Sequence, residues 1–257
     1  MSLMKLAQAS ITIGTRVICS NLDIEIEAGQ RWALLGPNGS GKTTLLHCMA
    51  GLRALDSGSI SLRGTPAAAI DRREFARACG VLFQEDSGSL PASVLETALL
   101  GRYPHGSPFK MEDSEELVVT RRWLAEFGLL ELADRSVASL SGGEKQRLLL
   151  STLFVQGPSL YLLDEPNNHL DLEFQVKLKR VLMDECSSRG CSAIMATHDI
   201  NLAAAICDHV ILMGQDGNPI VGTSNEVLNE GNLGSAFNCR IASLSDGTTR
   251  LFHTETN

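Results

Sequence analysis

A glycine-rich segment at residues 36–43 has the residue types and spacing that phosphate binding requires. It reads Gly-Pro-Asn-Gly-Ser-Gly-Lys-Thr, so backbone amides can approach a phosphate chain, Lys42 can reach its terminal oxygens and Thr43 offers a hydroxyl to Mg²⁺. A strand pattern at Arg31–Leu35 precedes it and a helical pattern over about Lys42–Met49 follows. This context predicts a nucleotide-binding site, although a flexible glycine turn is the simpler alternative. The predicted contacts are Gly36, Pro37, Asn38, Gly39, Ser40, Gly41, Lys42, Thr43 and Thr44.

Two adjacent carboxylates, Asp164 and Glu165, follow an apolar pattern that predicts a strand over Ser159–Leu163. In a parallel sheet the end of this strand lies near the phosphate loop. Asp164 would then hold Mg²⁺, and Glu165 would polarise the water that attacks the phosphate. The alternative is that both acids cap the helix that follows.

A third segment, Leu140–Arg147, reads Leu-Ser-Gly-Gly-Glu-Lys-Gln-Arg. Ser141 and Glu144 have the spacing of a helix-capping box, which is the purely structural interpretation. A cap does not explain the Gly142–Gly143 pair, which costs backbone entropy but allows an anion to approach a helix N-terminus closely. Both interpretations stay open on the residues alone.

Taken together, these motifs resemble the ABC ATPase family from about Leu6 to Leu251 and occur in the family's order. By similarity, the matching positions are the Walker A loop (36–43), the Q-loop glutamine (Gln84), the signature (Ser141–Glu144), the end of Walker B (Asp164 and Glu165), the D-loop (Asn168–Asp171) and the switch histidine (His198). A single histidine at the end of an apolar strand is more often structural. Because Gln84 and the two carboxylates are expected at the same strand ends, a contact between His198 and the γ-phosphate is favoured.

The resemblance implies that two copies of the chain face each other head to tail and enclose ATP between them. The residues that would reach the nucleotide bound to the other copy are Ser141, Gly142, Gly143, Glu144 and Asp171. The resemblance also assigns hydrolysis to Glu165, His198 and Gln84. It assigns Mg²⁺ binding to Thr43, Gln84 and Asp164.

Ile13 departs from the family pattern. The family usually places an aromatic residue before a glycine such as Gly14, where it stacks on adenine. An aliphatic side chain can cover the base, but it lacks a stacking contribution of about 0.5 to 1.5 kcal/mol. We therefore expect Ile13 to contact the base and to alter the affinity and selectivity for the nucleotide.

Within the family, the chain looks like the importers of ferric siderophores, haem and vitamin B12. The segments that carry this likeness are residues 99–106, the helical lobe after them, residues 198–204 and the run from Gly214 to Phe252. This class implies a membrane-spanning permease, a solute-binding protein and a place on the cytoplasmic face of the membrane. The alternatives are another ABC transporter class or a soluble ABC ATPase acting on ribosomes, DNA or cluster assembly. A phosphotransferase would leave the Leu-Ser-Gly-Gly-Glu segment unexplained.

Composition limits the partners and the location that can be expected for the chain. The 257 residues carry 22 basic and 30 acidic side chains, a net charge of −8, so a general basic field for nucleic acid is excluded and no nucleic-acid partner is expected. Seven cysteines without a C-x-x-C pair predict a reduced, cytosolic protein, with Cys186 at a helix end and Cys191 at the start of a strand. The longest apolar stretch, Leu148–Val155, is interrupted by hydroxyl residues, so neither a membrane span nor export is expected.

The elements that must position the motifs follow from periodicity. Alternation over Leu3–Ile26 predicts a hairpin around Gly14, and capping residues predict helices from Ser93 to about Gly101 and over Asp113–Phe127. The arginine-rich helix at Asp71–Ala78 is expected to present a solvated face. Alternating strands and helices predict an α/β phosphate-loop NTPase of ABC type, with a mostly parallel core sheet, an antiparallel β subdomain and a helical lobe. We expect one domain over 1–257, with parts at 1–84, about 85–140 and 141–257.

Overall fold

The computed structural model describes residues 2–83, 91–106, 114–245 and 250–255. The strands are β1 (Ser2–Ile13), β2 (Arg16–Glu27), β3 (Arg31–Leu35), β4 (Ser57–Leu62), β5 (Thr65–Pro66), β6 (Cys79–Leu82), β7 (Leu160–Asp164), β8 (Ser192–Thr197), β9 (His209–Leu212), β10 (Ile220–Thr223), β11 (Ile241–Ser245) and β12 (Arg250–Thr254). The helices are α1 (Lys42–Met49), α2 (Arg72–Ala78), α3 (Val94–Leu99), α4 (Ser114–Glu126), α5 (Gly142–Gln156), α6 (Leu172–Arg189), α7 (Ile200–Ile206), α8 (Ser224–Val227) and α9 (Glu230–Phe237).

An antiparallel sheet with the order β2-β1-β4-β5 forms the N-terminal part. β1 and β2 make the predicted hairpin, and Gly14 turns the chain with a φ of +59°. Alternate residues of both strands are buried, since one face of the sheet packs on α1. Leu6 and Ile24, for example, share a hydrophobic core with Leu45. The hairpin tip is thereby held beside the beginning of α1.

The central sheet has six strands in the order β10-β9-β3-β8-β7-β6. Its strands run parallel except for the edge strand β10, which pairs antiparallel with β9. β8 lies between β3 and β7, so the segments that follow these three strands meet at one edge of the sheet. The mostly parallel core and the antiparallel N-terminal sheet were both predicted and are confirmed.

The helical lobe has a hydrophobic core of its own, which includes Val94 of α3, Leu124 of α4 and Leu148 of α5. The arginines of α2 are exposed, as predicted, and two of them also make a contact that the sequence did not predict. The Arg73 and Arg77 side chains both donate hydrogen bonds to the Pro104 carbonyl, from Nε at 3.1 Å and 2.6 Å. Guanidinium groups are suited to such bonds, and here they tie the loop after α3 to the core.

The C-terminal region contains elements that periodicity did not predict, namely α8, α9 and the β11–β12 hairpin. Asn201 of α7 fixes the hairpin, because its side chain bonds both the amide and the carbonyl of Phe252 at 2.8 and 3.0 Å.

Cys186 lies in the last turn of α6 and Cys191 directly before β8, as predicted. Their sulfurs are 3.9 Å apart as free thiols. None of the helices within the described ranges combines the length and the apolar character that a membrane crossing needs.

Candidate nucleotide-binding site

The phosphate loop connects β3 to α1 in a backbone shape that depends on glycine. A Cβ atom at Gly36 would lie 2.5 Å from the Met213 carbonyl, and one at Gly41 would lie 2.3 Å from the Ile18 side chain. Gly41, with a φ of +103°, is the N-cap of α1 and offers no side-chain hydrogen bond to the helix. Because the first amides of a helix have no partner within it, those of α1 can bind an anion.

Lys42 is buried beneath this loop. Its ammonium donates to the carbonyls of Gly36 at 2.8 Å and Pro37 at 3.2 Å, and lies 3.9 Å from the Glu165 carboxylate. Burial lowers the pKa of Lys42, while the charges of Glu165 and Asp164 act in the opposite direction. The cation is therefore held at the loop by weak backbone partners and one carboxylate, and a phosphate can replace them.

Asp164 ends β7 with a buried carboxylate that needs a partner. Neither of its oxygens has a hydrogen-bond partner among the described residues. Burial raises the pKa of Asp164, and the nearby Thr43 hydroxyl and Lys42 reduce that rise. A hard cation fits this set of groups, since Mg²⁺ prefers carboxylate, hydroxyl and phosphate oxygens. Asp164 and Thr43 are thus the described residues that could hold it.

Glu165 follows directly and faces a different partner. It has a φ of +45°, a rare conformation for a residue other than glycine, and its amide donates to the Ala196 carbonyl at 3.0 Å. Its carboxylate lies 2.9 Å from Nδ1 of His198, which follows β8. Strain of this kind is concentrated at functional sites. The turn separates the two adjacent acids, so that Asp164 lies by Thr43 and Glu165 by Lys42 and His198.

The hairpin tip closes the other side of the pocket. Ile13 and Arg16 pair directly across the turn, and the Arg16 guanidinium donates to the Gly39 carbonyl at 2.7 Å. A pocket of about 520 Å³ is lined by Ile13, Arg16, Ile18, Asn38, Gly39, Gly41, Lys42, Thr43, Thr44, Asp164 and Glu165. Sequence reasoning missed Arg16 and Ile18. The available signal was the hairpin pattern, which places Arg16 beside Ile13.

The signature residues lie elsewhere. Ser141 caps α5, and its amide donates to the Glu144 carboxylate at 2.7 Å. Hydrogen bonds from the Ser141 amide and hydroxyl lower the pKa of Glu144. Gly143 approaches the segment before α6, where a Cβ would lie 3.0 Å from the His169 carbonyl, and Asp171 caps α6 through the Phe174 amide.

The predicted nucleotide contacts therefore fall into separate groups. Within the described part of the chain, residues 141–144 and Asp171 do not line the pocket, and Ser141 is exposed. Gln84, predicted to act in hydrolysis and Mg²⁺ binding, lies outside the described residues, directly after Phe83. The roles assigned to all these residues stay predictions.

A glycine-rich phosphate loop on a parallel sheet, with strand-end acids beside it and a lobe of helices, defines a phosphate-loop ATPase fold. Residues 19–168 match the family model described as ABC transporter. Since this match covers more than half of the chain, the chain belongs to the ABC transporter family, a family of ATPases. The predicted family and fold class are confirmed.

Named relatives refine this placement. The chain is 31% identical to the iron(3+)-hydroxamate import ATP-binding protein FhuC of Bacillus subtilis, over 94% of this chain and 90% of that protein. It is 33% identical to the hemin import ATP-binding protein HmuV of Shewanella denitrificans, over 91% and 93%. It is also 33% identical to the cobalamin import ATP-binding protein BtuD of Halobacterium salinarum, over 92% of this chain, but spans 58% of that protein's length.

A solved structure agrees with the fold. The chain superposes with a TM-score of 0.83 on a chain from a structure presented as an inward-facing metal-chelate type ABC transporter. The two are 25% identical, and the match covers 99% of this chain and 97% of the other. The likeness therefore extends through the C-terminal elements, beyond the residues that match the family model.

Proposed function

We propose that the chain hydrolyses Mg-ATP as one of two copies that drive an importer of the iron-siderophore, haem or vitamin B12 type. The observation that carries this proposal is the separation of two groups of residues. The pocket contains Lys42, Asp164 and Glu165, whereas residues 141–144 lie outside it, with Ser141 and Gly142 exposed elsewhere on the same chain. A second copy is the simplest source of the missing contacts.

In the proposed reaction, different residues of the chain have different roles. Amides of the phosphate loop and Lys42 bind the β- and γ-phosphates. Mg²⁺, held by Asp164 and Thr43 and, by the resemblance, Gln84, would offset charge on the same phosphates. Glu165 accepts a hydrogen bond from the attacking water. His198, oriented by its contact between Nδ1 and Glu165, presents its other ring nitrogen to the γ-phosphate.

A surface groove is the feature on which we base the binding of a protein partner such as the permease. It has a volume of about 570 Å³ and is lined by residues that include Leu52, Phe75, Val81 and Phe83. Leu52 is 61% exposed and Phe83 39%. Exposed apolar patches of this kind mark sites of protein association. The groove adjoins α2, whose arginines hold the loop after α3, so a segment docked there would lie beside the contact between the core and that loop.

The solute class rests on the relatives. Hydroxamate, hemin and cobalamin are the solutes named for the three proteins above, and all three are import proteins. We accordingly propose that the chain works on the cytoplasmic face of a membrane permease, with a solute-binding protein on the opposite side. ATP turnover in this complex closes and reopens the pair of ATPase copies.

Reconstitution with candidate permeases and solute-binding proteins tests the proposal. Proteoliposomes that enclose Mg-ATP and this chain should take up one of ferric hydroxamate, haem or cobalamin, and the chain should co-purify with that permease. Leu52→Glu places a charge in the groove and should reduce co-purification at least tenfold while ATP binding persists. Leu244→Glu, at an exposed position of β11, is the matched control. Wild-type co-purification by the Leu52 variant would exclude the groove as the docking site, and ATPase activity without transport in any complex would favour a permease-independent ABC ATPase.

A further inference from the structure

Arg16 is a cation at the nucleotide pocket whose role neither the motifs nor the relatives' names assign. It follows the two-residue turn of the β1–β2 hairpin and pairs directly with Ile13. Directly opposed residues of antiparallel strands project from the same face of the sheet. Both side chains line the pocket, and Arg16 therefore stands next to the position expected to cover the base.

The hydrogen bond of Arg16 directs its guanidinium to the phosphate end of the pocket. Nη1 donates to the carbonyl of Gly39, which lies in the middle of the phosphate loop. A guanidinium has five N–H donors, and this bond uses one. No carboxylate among the described residues lies within 4 Å of Arg16, whereas Arg31 and Arg180 each have such a partner. The charge is thus placed at the loop without a counter-ion there.

The pairing of charges in the pocket leaves Arg16 available to an anionic ligand. The lining residues carry two cations, Lys42 and Arg16, and two anions, Asp164 and Glu165. Lys42 is buried and shares its charge with Glu165 at 3.9 Å. Arg16 is exposed and can turn from a neutral carbonyl to a phosphate oxygen, which forms a stronger, charge-assisted hydrogen bond.

We propose that Arg16 is a nucleotide-binding residue that contacts the polyphosphate of the bound nucleotide from the hairpin side of the pocket. This contact raises affinity at a site where Ile13 provides no aromatic stacking. The inference rests on the proposed nucleotide site and deepens it, since it adds a second cation that approaches the phosphates from outside the loop.

Equilibrium titrations with ATP, ADP, inorganic tripolyphosphate and adenosine test the inference. Arg16→Ala should weaken binding of ATP and tripolyphosphate by similar factors of about five to twenty, because the contact is charge-assisted but exposed. Adenosine binding should be unchanged. Arg53→Ala is the matched control, since Arg53 is also exposed and donates to a carbonyl of β1, that of Thr12, but does not line the pocket.

Two further variants separate a phosphate contact from support of the loop. Arg16→Gln keeps a donor for the Gly39 carbonyl without the charge, and Arg16→Lys keeps the charge. We expect the lysine variant to recover part of the affinity and the glutamine variant to recover none. Full recovery by glutamine would assign Arg16 to loop support and overturn the inference. So would a loss confined to ATP with tripolyphosphate binding unchanged, which would mean a contact with the base.

A wrong inference about Arg16 can be distinguished from a wrong assignment of the nucleotide site. Lys42→Ala tests the phosphate loop directly and does not involve Arg16. If Lys42→Ala weakens binding of ATP at least tenfold while Arg16→Ala leaves it at the wild-type value, the nucleotide site stands and the inference about Arg16 is wrong. If neither variant changes binding, the assignment of the pocket is wrong as well.

Discussion

Helices α1 and α5 both begin at glycine-rich segments, yet their first amides have different partners. α1 starts after Gly41, and no side chain caps it. α5 starts after Ser141, whose hydroxyl accepts from the Glu144 amide at 3.3 Å while the Glu144 carboxylate accepts from the Ser141 amide. The amides of α1 are left to a ligand, whereas part of the N-terminus of α5 is satisfied within the chain.

Under the proposed function, this difference predicts that the two helices act at different steps of nucleotide binding. α1 lies in the pocket with Lys42, so we expect one copy to bind a nucleotide through this helix alone. The capping box of α5 is complete without a nucleotide. The Ser141 hydroxyl donates to Glu144 at 2.8 Å, and it must turn from that carboxylate to reach a γ-phosphate on another copy. We therefore expect affinity to depend on α1 and closure of the dimer to depend on α5.

Removal of the Glu165 carboxylate gives the largest expected effect and separates chemistry from binding. Glu165→Gln keeps the size of the side chain but not its basicity, so the rate of ATP hydrolysis should fall by about 10² to 10⁴. ATP affinity should be kept or increased, since a charge 3.9 Å from Lys42 is removed. Phosphate release and equilibrium titration measure the two quantities. Glu131→Gln, at an exposed position of the helical lobe, is the control. A Glu165 variant with the wild-type turnover rate would rule out this role.

Loss of Lys42 tests the α1 side of the comparison. Lys42→Ala removes a charge-assisted phosphate contact of about 1.5 to 3 kcal/mol, so ATP should bind roughly 10- to 150-fold more weakly. The fold should persist, because within the described residues the ammonium contacts two loop carbonyls and one carboxylate. Lys5→Ala, an exposed substitution on β1, controls for the loss of a positive charge. Unchanged affinity in Lys42→Ala would show that the nucleotide binds elsewhere.

A bulky residue at Ser141 tests the α5 side. In Glu165→Gln protein, saturating Mg-ATP should accumulate a closed dimer visible by sedimentation. Adding Ser141→Arg should raise the dimer dissociation constant about tenfold or more, since a large side chain would obstruct the facing nucleotide, while ATP affinity of the single copy stays within twofold. Ser188→Arg, exposed near the end of α6, is the control. A dimer that forms equally well with Ser141→Arg would contradict the assignment of this surface.

Local patterns were sufficient for much of the fold. The hairpin, the strand before the phosphate loop, α1 and the α5 capping box were each predictable because a few neighbouring residues determine them. The meeting of the phosphate loop with Asp164 was also predictable, because parallel strands end at one edge of a sheet. The C-terminal α8, α9 and β11–β12 were not, since these are short elements held by contacts such as that of Asn201 with Phe252.

The site details that escaped prediction depend on distant segments. The bond of Arg16 to Gly39 joins β2 of the N-terminal sheet to the loop that follows β3 of the central sheet, and periodicity carries no information about it. The left-handed conformation of Glu165, which turns its carboxylate toward His198, likewise has no local signal such as glycine. The motifs therefore predict that the phosphate loop and the two acids lie close together. The structure adds that Asp164 lies by Thr43 and that Glu165 faces His198.

The smallest expected effect concerns the base end of the α1 pocket. Ile13 is 43% exposed at the hairpin tip, so a larger side chain can be accommodated there without entering the core. Ile13→Tyr supplies a ring that can stack on adenine, and ATP affinity should rise by at most about 1.5 kcal/mol, or roughly tenfold. Ile13→Leu controls for a change of shape without a ring, and tripolyphosphate, which has no base, should bind both variants as it binds the wild type. Tighter binding of tripolyphosphate by the tyrosine variant would mean that residue 13 acts on the phosphate end through Arg16, and unchanged ATP affinity would mean that adenine does not reach the hairpin tip.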